Sequence, residues 1–356
     1  MTQADPPSSV PAYYANCVPG IEAVAGCEIR RKLPGVQIAR IDPGRVLFGY
    51  AGDVSDLLSL RTTEDVFAYL AEMTDIPPDE QGLQVVKDHM RRIDLTCGLR
   101  AHSRLWGAPD RPTFRVTATR QGQHAFHSPQ IAGWAGAGVV EQRGWPVSLE
   151  HPDIDIWVEL RHDKAVCGVR LSTNAMGRRS RVVHSIASLR PTVAHAMCLL
   201  SRPTQAELFL DPMCGAGTML IERQHDLPGA VVIGADKYTL PVQQAAANIR
   251  AAGVRASLVQ ADATRLALAA ASVDKIVSNL PWGRRIGSHR TDRWLYPRFL
   301  SEANRVLRPG GTMVLLSLER RLMLSLLERM PGLHLVSRTM VTITGMRPSI
   351  YVLERQ

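Results

Sequence analysis

A glycine-rich run in the second half of the chain is the first feature suited to chemistry. It reads Asp211-Pro212-Met213-Cys214-Gly215-Ala216-Gly217-Thr218, after a short apolar stretch and before a helix-like one. Glycines let a backbone turn tightly and approach a ligand closely, as dinucleotide-binding loops do. Leu220 replaces the third glycine of that motif, and the chain lacks the Gly-Lys-Ser/Thr of a phosphate-binding loop. A plain strand-to-helix turn remains an alternative for this run taken alone.

Three polar residues farther along the chain favour a ligand site. Asp236, Asp262 and Asn279 each end a short apolar stretch, and Asn279 opens the run Asn279-Leu280-Pro281-Trp282-Gly283. A carboxylate at Asp236 suits the two hydroxyls of a ribose, and one at Asp262 suits an adenine amino group. Because the carboxyl ends of neighbouring parallel strands meet in one crevice, we expect these residues and the glycine run to converge there.

The elements that must position these residues are short strands alternating with helices from about residue 205. Strand-like stretches cover 208–210, 231–235, 256–260, 275–278 and 312–317, with helix-like stretches such as 241–252 and 295–307 between them. This alternation predicts a parallel, doubly wound α/β sheet.

The front half predicts an α+β architecture. A strand is expected over 114–119, and a helix opens at Ser128, which precedes a proline. The alternating stretch 154–160 is expected to pair with 165–171, and residues 99–112 are expected to form a loop. We expect the strands of this half to pair antiparallel.

Together, the glycine run, the two aspartates and the Asn-Leu-Pro-Trp run resemble the class I S-adenosylmethionine-dependent methyltransferases. Asn279-Leu280-Pro281-Trp282 is similar to the [N/D]-P-P-[Y/F/W] signature of enzymes that methylate exocyclic amines. The resemblance implies S-adenosylmethionine as the cofactor, no metal, and the following cofactor-binding residues: Asp211, Cys214, Gly215, Gly217, Asp236, Lys237, Asp262, Ala263 and Asn279. It implies that the glycine run with Asp211 faces the methionine end, that Asp236 holds the ribose, and that Asp262 with Ala263 meets the adenine.

The catalytic candidates are Asn279, Leu280, Pro281 and Trp282. An aromatic amine is a poor nucleophile because its lone pair is delocalised into the ring. If the Asn279 side-chain oxygen and the Leu280 carbonyl each accept a hydrogen bond from one N–H group of the amine, the nitrogen becomes pyramidal and its lone pair points at the methyl group. Pro281 biases Leu280 toward extended backbone, so replacing the first proline of the signature with leucine is expected to matter little. Trp282 offers a face for a flipped-out base, and no general base is required.

Three strings in the front half resemble the THUMP domain: 114–120, Gly136-x-Gly138-Val139-Val140 and 153–158. With the N-terminal ferredoxin-like portion, they resemble the THUMP-containing tRNA guanosine methyltransferases of archaea and bacteria over about residues 13–353. The resemblance implies a ferredoxin-like domain (1–75), a THUMP RNA-binding domain (76–173), an interdomain linker (174–204) and a Rossmann-like, doubly wound class I methyltransferase domain (205–356). It implies N2-methylguanosine formation in tRNA, in the acceptor stem, with the THUMP domain binding the 3′ end.

Composition bounds the class of protein. Hydrophobic residues make up 45% of the 356 residues and charged residues 21%, which excludes a disordered or fibrous chain. No apolar run approaches the roughly 18 residues that a membrane span needs, and the first residues lack the pattern of a signal peptide. The six cysteines form no CxxC pair, which argues against a disulfide framework or a zinc site. We expect a monomeric, cytoplasmic protein.

The charge is basic, with a formal net value of +9 that comes almost entirely from arginine. Arginine binds phosphate bidentately and stacks on bases, although a high-GC codon bias would also replace lysine with arginine. Two clusters lie at 178–190 and 284–298, the second with Trp294 and Tyr296 interleaved. Beside a base-binding motif, phosphate contact is favoured over a solvated face.

Three alternatives remain open. The same chemistry could act on ribosomal RNA or on an adenine amine. An RNA-binding module with a degenerate methyltransferase half is disfavoured by the intact strand-end residues. A nicotinamide oxidoreductase is disfavoured by Leu220 and by the run that begins at Asn279.

Overall fold

Two seven-stranded sheets organise the part of the chain that the computed structural model describes, namely residues 10–172, 176, 179, 189–226, 228–282 and 289–356. The chain divides into two compact units. The first comprises Met1–Asn16, Glu28–Leu60 and Asp65–Met176, and the second comprises Cys17–Cys27, Arg61–Glu64 and Gly177–Gln356.

The first sheet has the strand order β2-β3-β1-β4-β7-β6-β5. Its strands are β1 (Ala12–Cys17), β2 (Gln37–Asp42), β3 (Arg45–Gly49), β4 (Thr63–Met73), β5 (Phe114–Gln121), β6 (Ile154–Arg161) and β7 (Lys164–Arg170). The helices in this part of the chain are α1 (Glu22–Lys32), α2 (Gln81–Arg92), α3 (Thr96–Trp106) and α4 (Ser128–Arg143), with a 3₁₀ helix at Val54–Ser59.

Two expectations for the front half are wrong. The antiparallel pairing of β6 with β7 is confirmed, but β5 and β6 run parallel because α4 carries the chain back between them. Part of the expected loop 99–112 belongs to helix α3. Gly98 disfavours a helix locally, yet a Cβ there would lie 2.7 Å from Val169 of β7. The glycine therefore permits close packing of α3 on the sheet.

The second sheet has the order β10-β9-β8-β11-β12-β14-β13. Its strands are β8 (Leu208–Asp211), β9 (Val231–Asp236), β10 (Ser257–Gln260), β11 (Val273–Asn279), β12 (Leu307–Ser317), β13 (Leu333–Met340) and β14 (Ser349–Arg355). The helices are α5 (Pro191–Leu200), α6 (Thr218–Asp226), α7 (Thr239–Ala251), α8 (His289–Val306) and α9 (Arg320–Leu327). Helix α5 lies within the range predicted as a linker, and its residues 191–198 are buried.

The predicted doubly wound α/β architecture is confirmed, and two strands that were not predicted, β13 and β14, extend the sheet. The five predicted strands, β8 to β12, form parallel pairs, whereas the unpredicted β14 runs antiparallel between β12 and β13. Residues of β11, α8, β12 and β14 form a core whose aromatic members Tyr296, Phe299 and Tyr351 are fully buried. The strand order reverses between β8 and β11, and in open α/β sheets ligands bind beyond the carboxyl ends of the strands at such a point.

Candidate active site

The glycine run forms a tight loop between β8 and α6 at this carboxyl edge. The Cys214 amide donates to the Ala235 carbonyl at 2.8 Å, and the Asn248 side chain of α7 donates to the Ala216 carbonyl at 3.0 Å. Gly217 adopts a φ of +82°, and a Cβ there would lie 3.1 Å from the nearest side-chain atom of α7. The loop is therefore held between β9 and α7, and Gly217 is required for its close approach to the helix.

Asp211 ends β8 and is almost completely buried. Its Oδ1 accepts hydrogen bonds from the Ser278 hydroxyl of β11 at 2.7 Å and from the Met213 amide at 3.2 Å. Burial raises the pKa of this carboxyl to about 7, although both hydrogen bonds act in the opposite direction. The bond to Ser278 joins β8 to β11 one residue before Asn279.

Asp236 ends β9 and contacts the glycine loop directly. Its Oδ2 accepts from the Gly215 amide at 3.1 Å, and its Oδ1 accepts from the Tyr238 amide at 3.1 Å. Each carboxylate oxygen can accept more than one hydrogen bond, so the group keeps capacity for further donors. The structure thus brings two of the predicted cofactor-binding residues, Gly215 and Asp236, together.

Asp262 follows β10 and forms an ion pair with Lys237, which follows β9. The Lys237 Nζ lies 3.0 Å from Asp262 Oδ2, while Oδ1 accepts from the Thr264 amide and hydroxyl. The Thr264 hydrogen bonds and the Lys237 ammonium lower the pKa of this carboxyl. The pair ties the ends of two neighbouring strands together, and Ala263 beside it is buried.

The run that begins at Asn279 leaves the end of β11 on a defined path. The Leu280 amide donates to the Leu316 carbonyl of β12 at 3.1 Å, and the Leu280 side chain is buried in the core. The Pro281 carbonyl accepts from the Tyr296 hydroxyl of α8 at 2.7 Å. Among the described residues, two buried atoms of this run, Asn279 Oδ1 and Trp282 Nε1, have no hydrogen-bond partner.

An unpartnered buried acceptor is costly unless a ligand supplies the missing donor. Asn279 Oδ1 lies at the carboxyl end of the sheet, where the strand order reverses. Within the described residues, Asn279 Oδ1 therefore keeps its full capacity to accept hydrogen bonds.

Cys214 lies within the loop, but its thiol is an unsuitable nucleophile. The side chain is buried, and burial together with the neighbouring Asp211 and Asp236 raises the pKa of this thiol well above its usual range. A protonated thiol reacts poorly. What the structure shows of Cys214 is its backbone amide anchoring the loop to β9.

Three polar residues hold the site together through contacts that were not predicted from the sequence. Ser278 binds Asp211, and Tyr296 binds both the Pro281 carbonyl and the Ser317 hydroxyl. The position of Ser278 one residue before Asn279 was the one signal that could have identified it. In the sequence, Tyr296 stands out only as an aromatic residue among the arginines of 284–298, and Ser317 ends an apolar stretch, so nothing in the local pattern predicts their contacts with each other or with Pro281.

The first basic cluster, 178–190, is described only in part. Arg178, Arg181 and His184 lie outside the described residues. Arg179 forms an ion pair with Glu222 of α6, and Arg190 forms one with Glu64. The expected phosphate contact is not tested by these pairs.

The second basic cluster, 284–298, flanks the run that begins at Asn279. Outside the described part of the structure lie Arg284, Arg285 and the side chain of Arg290. Arg293 and Arg298 are exposed on α8. The Arg298 guanidinium stacks on the exposed Trp294 ring at 4.4 Å from its centroid.

Within the described ranges, no group of three or more His, Cys, Asp or Glu side chains could hold a metal ion. No helix there combines the length and the apolar character that spanning a membrane requires.

Two family models match parts of the chain. The family model described as RMKL-like, methyltransferase domain matches residues 178–349, and the THUMP domain model matches residues 100–170. The crystal structure of TrmN from Thermus thermophilus superposes with a TM-score of 0.79 at 27% identity, covering 97% of this chain and 99% of that one.

Similar sequences include proteins named as tRNA guanine-N2 methyltransferases. A tRNA (guanine(6)-N2)-methyltransferase of Thermus thermophilus is 32% identical over 245 residues, which cover 68% of this chain and 72% of that protein. The tRNA (guanine(6)-N(2))-methyltransferase THUMP3 of Bos taurus is 31% identical over 263 residues, and the match covers 69% of this chain but 52% of that protein. The chain therefore spans about half the length of this mammalian relative. These matches confirm the family resemblance, and the chain belongs to the THUMP-domain family of class I S-adenosylmethionine-dependent methyltransferases with an RMKL-like methyltransferase domain.

Proposed function

We propose that the protein transfers a methyl group from S-adenosylmethionine to the exocyclic N2 amine of a guanosine in the acceptor stem of tRNA. The observation that carries the proposal is the buried, unpartnered Oδ1 of Asn279 at the end of β11, in a chain with this family's domains. The names of the Thermus thermophilus and Bos taurus relatives specify guanine 6 and its N2 atom, and nucleotide 6 of a tRNA belongs to the acceptor stem.

The residues at the carboxyl edge fit the cofactor. A Cβ built at Gly215 would meet no described atom within 4 Å, so the loop backbone is open to a ligand there. Asp211 would face the methionine end, Asp236 the ribose hydroxyls, and Asp262 with Ala263 the adenine. When bound, S-adenosylmethionine supplies an electrophilic methyl group on a sulfonium, so little further activation of the donor is needed.

The chain's own contribution is the orientation of the acceptor amine. Asn279 Oδ1 accepts a hydrogen bond from one N–H group of the guanine amine, and the Leu280 carbonyl accepts one from the other. This favours a pyramidal nitrogen with its lone pair aimed at the methyl group. The backbone of Leu280 is held in place by the hydrogen bond from its amide to the Leu316 carbonyl and by its buried side chain. Trp282 supplies the face on which the extruded base stacks.

Substrate binding beyond the target base is assigned to the THUMP domain and to exposed arginines. The THUMP domain would bind the 3′ end of tRNA, and Arg293 and Arg298 of α8 would contact phosphates near the target nucleotide. We further propose that the protein acts as a monomer in the cytoplasm, where its tRNA substrate is found.

The test is incubation of the purified full chain with S-adenosylmethionine and unmodified tRNA transcripts, followed by nucleoside digestion and mass spectrometry. N2-methylguanosine is expected, and a transcript with guanosine 6 replaced by adenosine should not be modified. The Asn279→Ala variant, prepared in parallel, controls for contaminating methyltransferases.

The remaining outcomes discriminate the alternatives. Detection of N6-methyladenosine would assign the target atom to adenine and not to guanine. Methylation of ribosomal RNA but not of tRNA would assign ribosomal RNA as the substrate. Binding of tRNA without measurable binding of S-adenosylmethionine would refute the enzyme assignment and favour an RNA-binding module.

A further inference from the structure

We infer that Tyr296 and Ser317 are positioning residues that set the backbone of the proposed base-binding run through a directional hydrogen-bond relay. The relay runs from the Glu319 amide to the Ser317 hydroxyl, then to the Tyr296 hydroxyl, and ends on the Pro281 carbonyl. Its role in methyl transfer rests on the proposed function, but its structural consequence does not.

The direction of the relay follows from the groups at its two ends. A carbonyl oxygen can only accept, so the single hydroxyl proton of Tyr296 is donated to Pro281 over 2.7 Å. A backbone amide can only donate, so Ser317 Oγ accepts from Glu319 over 3.0 Å. The proton of Ser317 is then donated to the Tyr296 oxygen over 2.8 Å. Each hydroxyl in the relay both donates and accepts, and such chains polarise one another.

The Pro281 carbonyl is an effective point at which to hold this run. The pyrrolidine ring fixes φ of Pro281, and the peptide bond that follows is planar, so ψ of Pro281 is the soft torsion that directs Trp282. The hydrogen bond from Tyr296 holds that torsion. On the other side, the Leu280 amide is bonded to Leu316, so the run is held both before and after the Leu280 carbonyl.

Tyr296 is well suited to remain a donor. Its side chain is completely buried in the core formed by β11, α8, β12 and β14, which restricts its movement. Burial, opposed by the bond from Ser317, raises the pKa of its hydroxyl far above the ordinary value, so the proton is retained at any physiological pH.

The test compares Tyr296→Phe with Tyr351→Phe. Tyr351 of β14 is equally buried in the same core, and among the described residues it makes no hydrogen bond with 279–282. We expect Tyr296→Phe to lower kcat by about 30-fold, with KM for tRNA and the dissociation constant for S-adenosylmethionine within about twofold of wild type, because only the alignment of the amine is disturbed. Tyr351→Phe is expected to retain the wild-type kcat.

A second readout is independent of activity. Hydrogen exchange of the peptide covering 278–282 is expected to become faster in Tyr296→Phe, with α6 and β9 unchanged, and to remain at the wild-type rate in Tyr351→Phe. Ser317→Ala is expected to make exchange at 278–282 faster as well, but by less than Tyr296→Phe does. The double variant Tyr296→Phe/Ser317→Ala should lose no more than Tyr296→Phe alone, because both act through one carbonyl.

The outcomes separate the two proposals. If hydrogen exchange at 278–282 is faster in Tyr296→Phe while the wild-type protein methylates no RNA, the relay is supported and the proposed function is refuted. Exchange and kcat indistinguishable between Tyr296→Phe and Tyr351→Phe overturn the relay even if N2-methylguanosine is formed.

Discussion

The buried carboxyl of Asp211 makes a prediction about the pH dependence of stability. Its pKa is raised from 3.8 to about 7, so between these values the native state binds more protons than the unfolded state. The contribution of Asp211 to the free energy of unfolding therefore falls as pH rises through this range. Relative to its value below pH 4, the free energy of unfolding is lowered by about 2 kcal/mol at pH 5 and by about 4 kcal/mol above pH 7, because the unfolded state releases the Asp211 proton first.

Asp211→Asn removes this dependence. An amide oxygen can accept the same hydrogen bonds from Ser278 and Met213 that Oδ1 now accepts, and it carries no charge. The variant is expected to be more stable than wild type at pH 8 and to keep only part of that advantage at pH 5. With an m-value of about 2 kcal/mol/M, the difference between their urea midpoints should grow by about 1 M from pH 5 to pH 8.

The matched control is Asp262→Asn, because the pKa of that carboxyl is lowered and not raised. Removing its charge should decrease stability at neutral pH, and the loss should disappear as pH falls below about 4. The reasoning for Asp211 is refuted if the difference between Asp211→Asn and wild type is the same at pH 5 and pH 8.

The remaining predictions concern the base-binding run, the glycine loop and the exposed arginines. In single-turnover assays, Asn279→Ala should slow methyl transfer by about 100-fold with tRNA affinity retained, whereas Asn279→Asp, which keeps an acceptor, should lose less. In urea denaturation, Gly217→Ala should cost more stability than Gly253→Ala, because both glycines have positive φ but only Gly217 is close to a neighbouring helix. In salt titrations of tRNA binding, Arg293→Ala with Arg298→Ala should weaken affinity and reduce the slope of log affinity against log salt by about 2.

Each of these has an outcome that contradicts it. Wild-type rates in Asn279→Ala would remove Asn279 from the chemistry. Equal losses in the two glycine variants would mean that backbone strain, and not contact with α7, sets the cost. Arg250→Ala with Arg255→Ala removes the same charge from exposed positions near β10. An equal change of slope in that control would assign the effect to net charge and not to local phosphate contacts.

Patterns along the chain were sufficient where the determinant is local. The strand-and-helix alternation of the second half predicted strands β8 to β12, since a short apolar run between two helices is typical of a buried parallel strand. Strand β14 could not be predicted as antiparallel, because pairing direction depends on how α9 and β13 return the chain and not on the residues of the strand. The same limit explains the wrong prediction for β5 and β6.

The sequence by itself determined which residues stand at the ends of the parallel strands, and so the family and the candidate site. Only the tertiary structure decided what those residues contact. The partners of Asp211, Asp236 and Pro281 are Ser278, the Gly215 amide and Tyr296, which lie 67, 21 and 15 residues away along the chain. The physical reason is that the periodicity of apolar residues indicates which face of a helix or strand is buried. A hydrogen bond between two elements depends instead on how the fold aligns them, which neither element's residues specify alone.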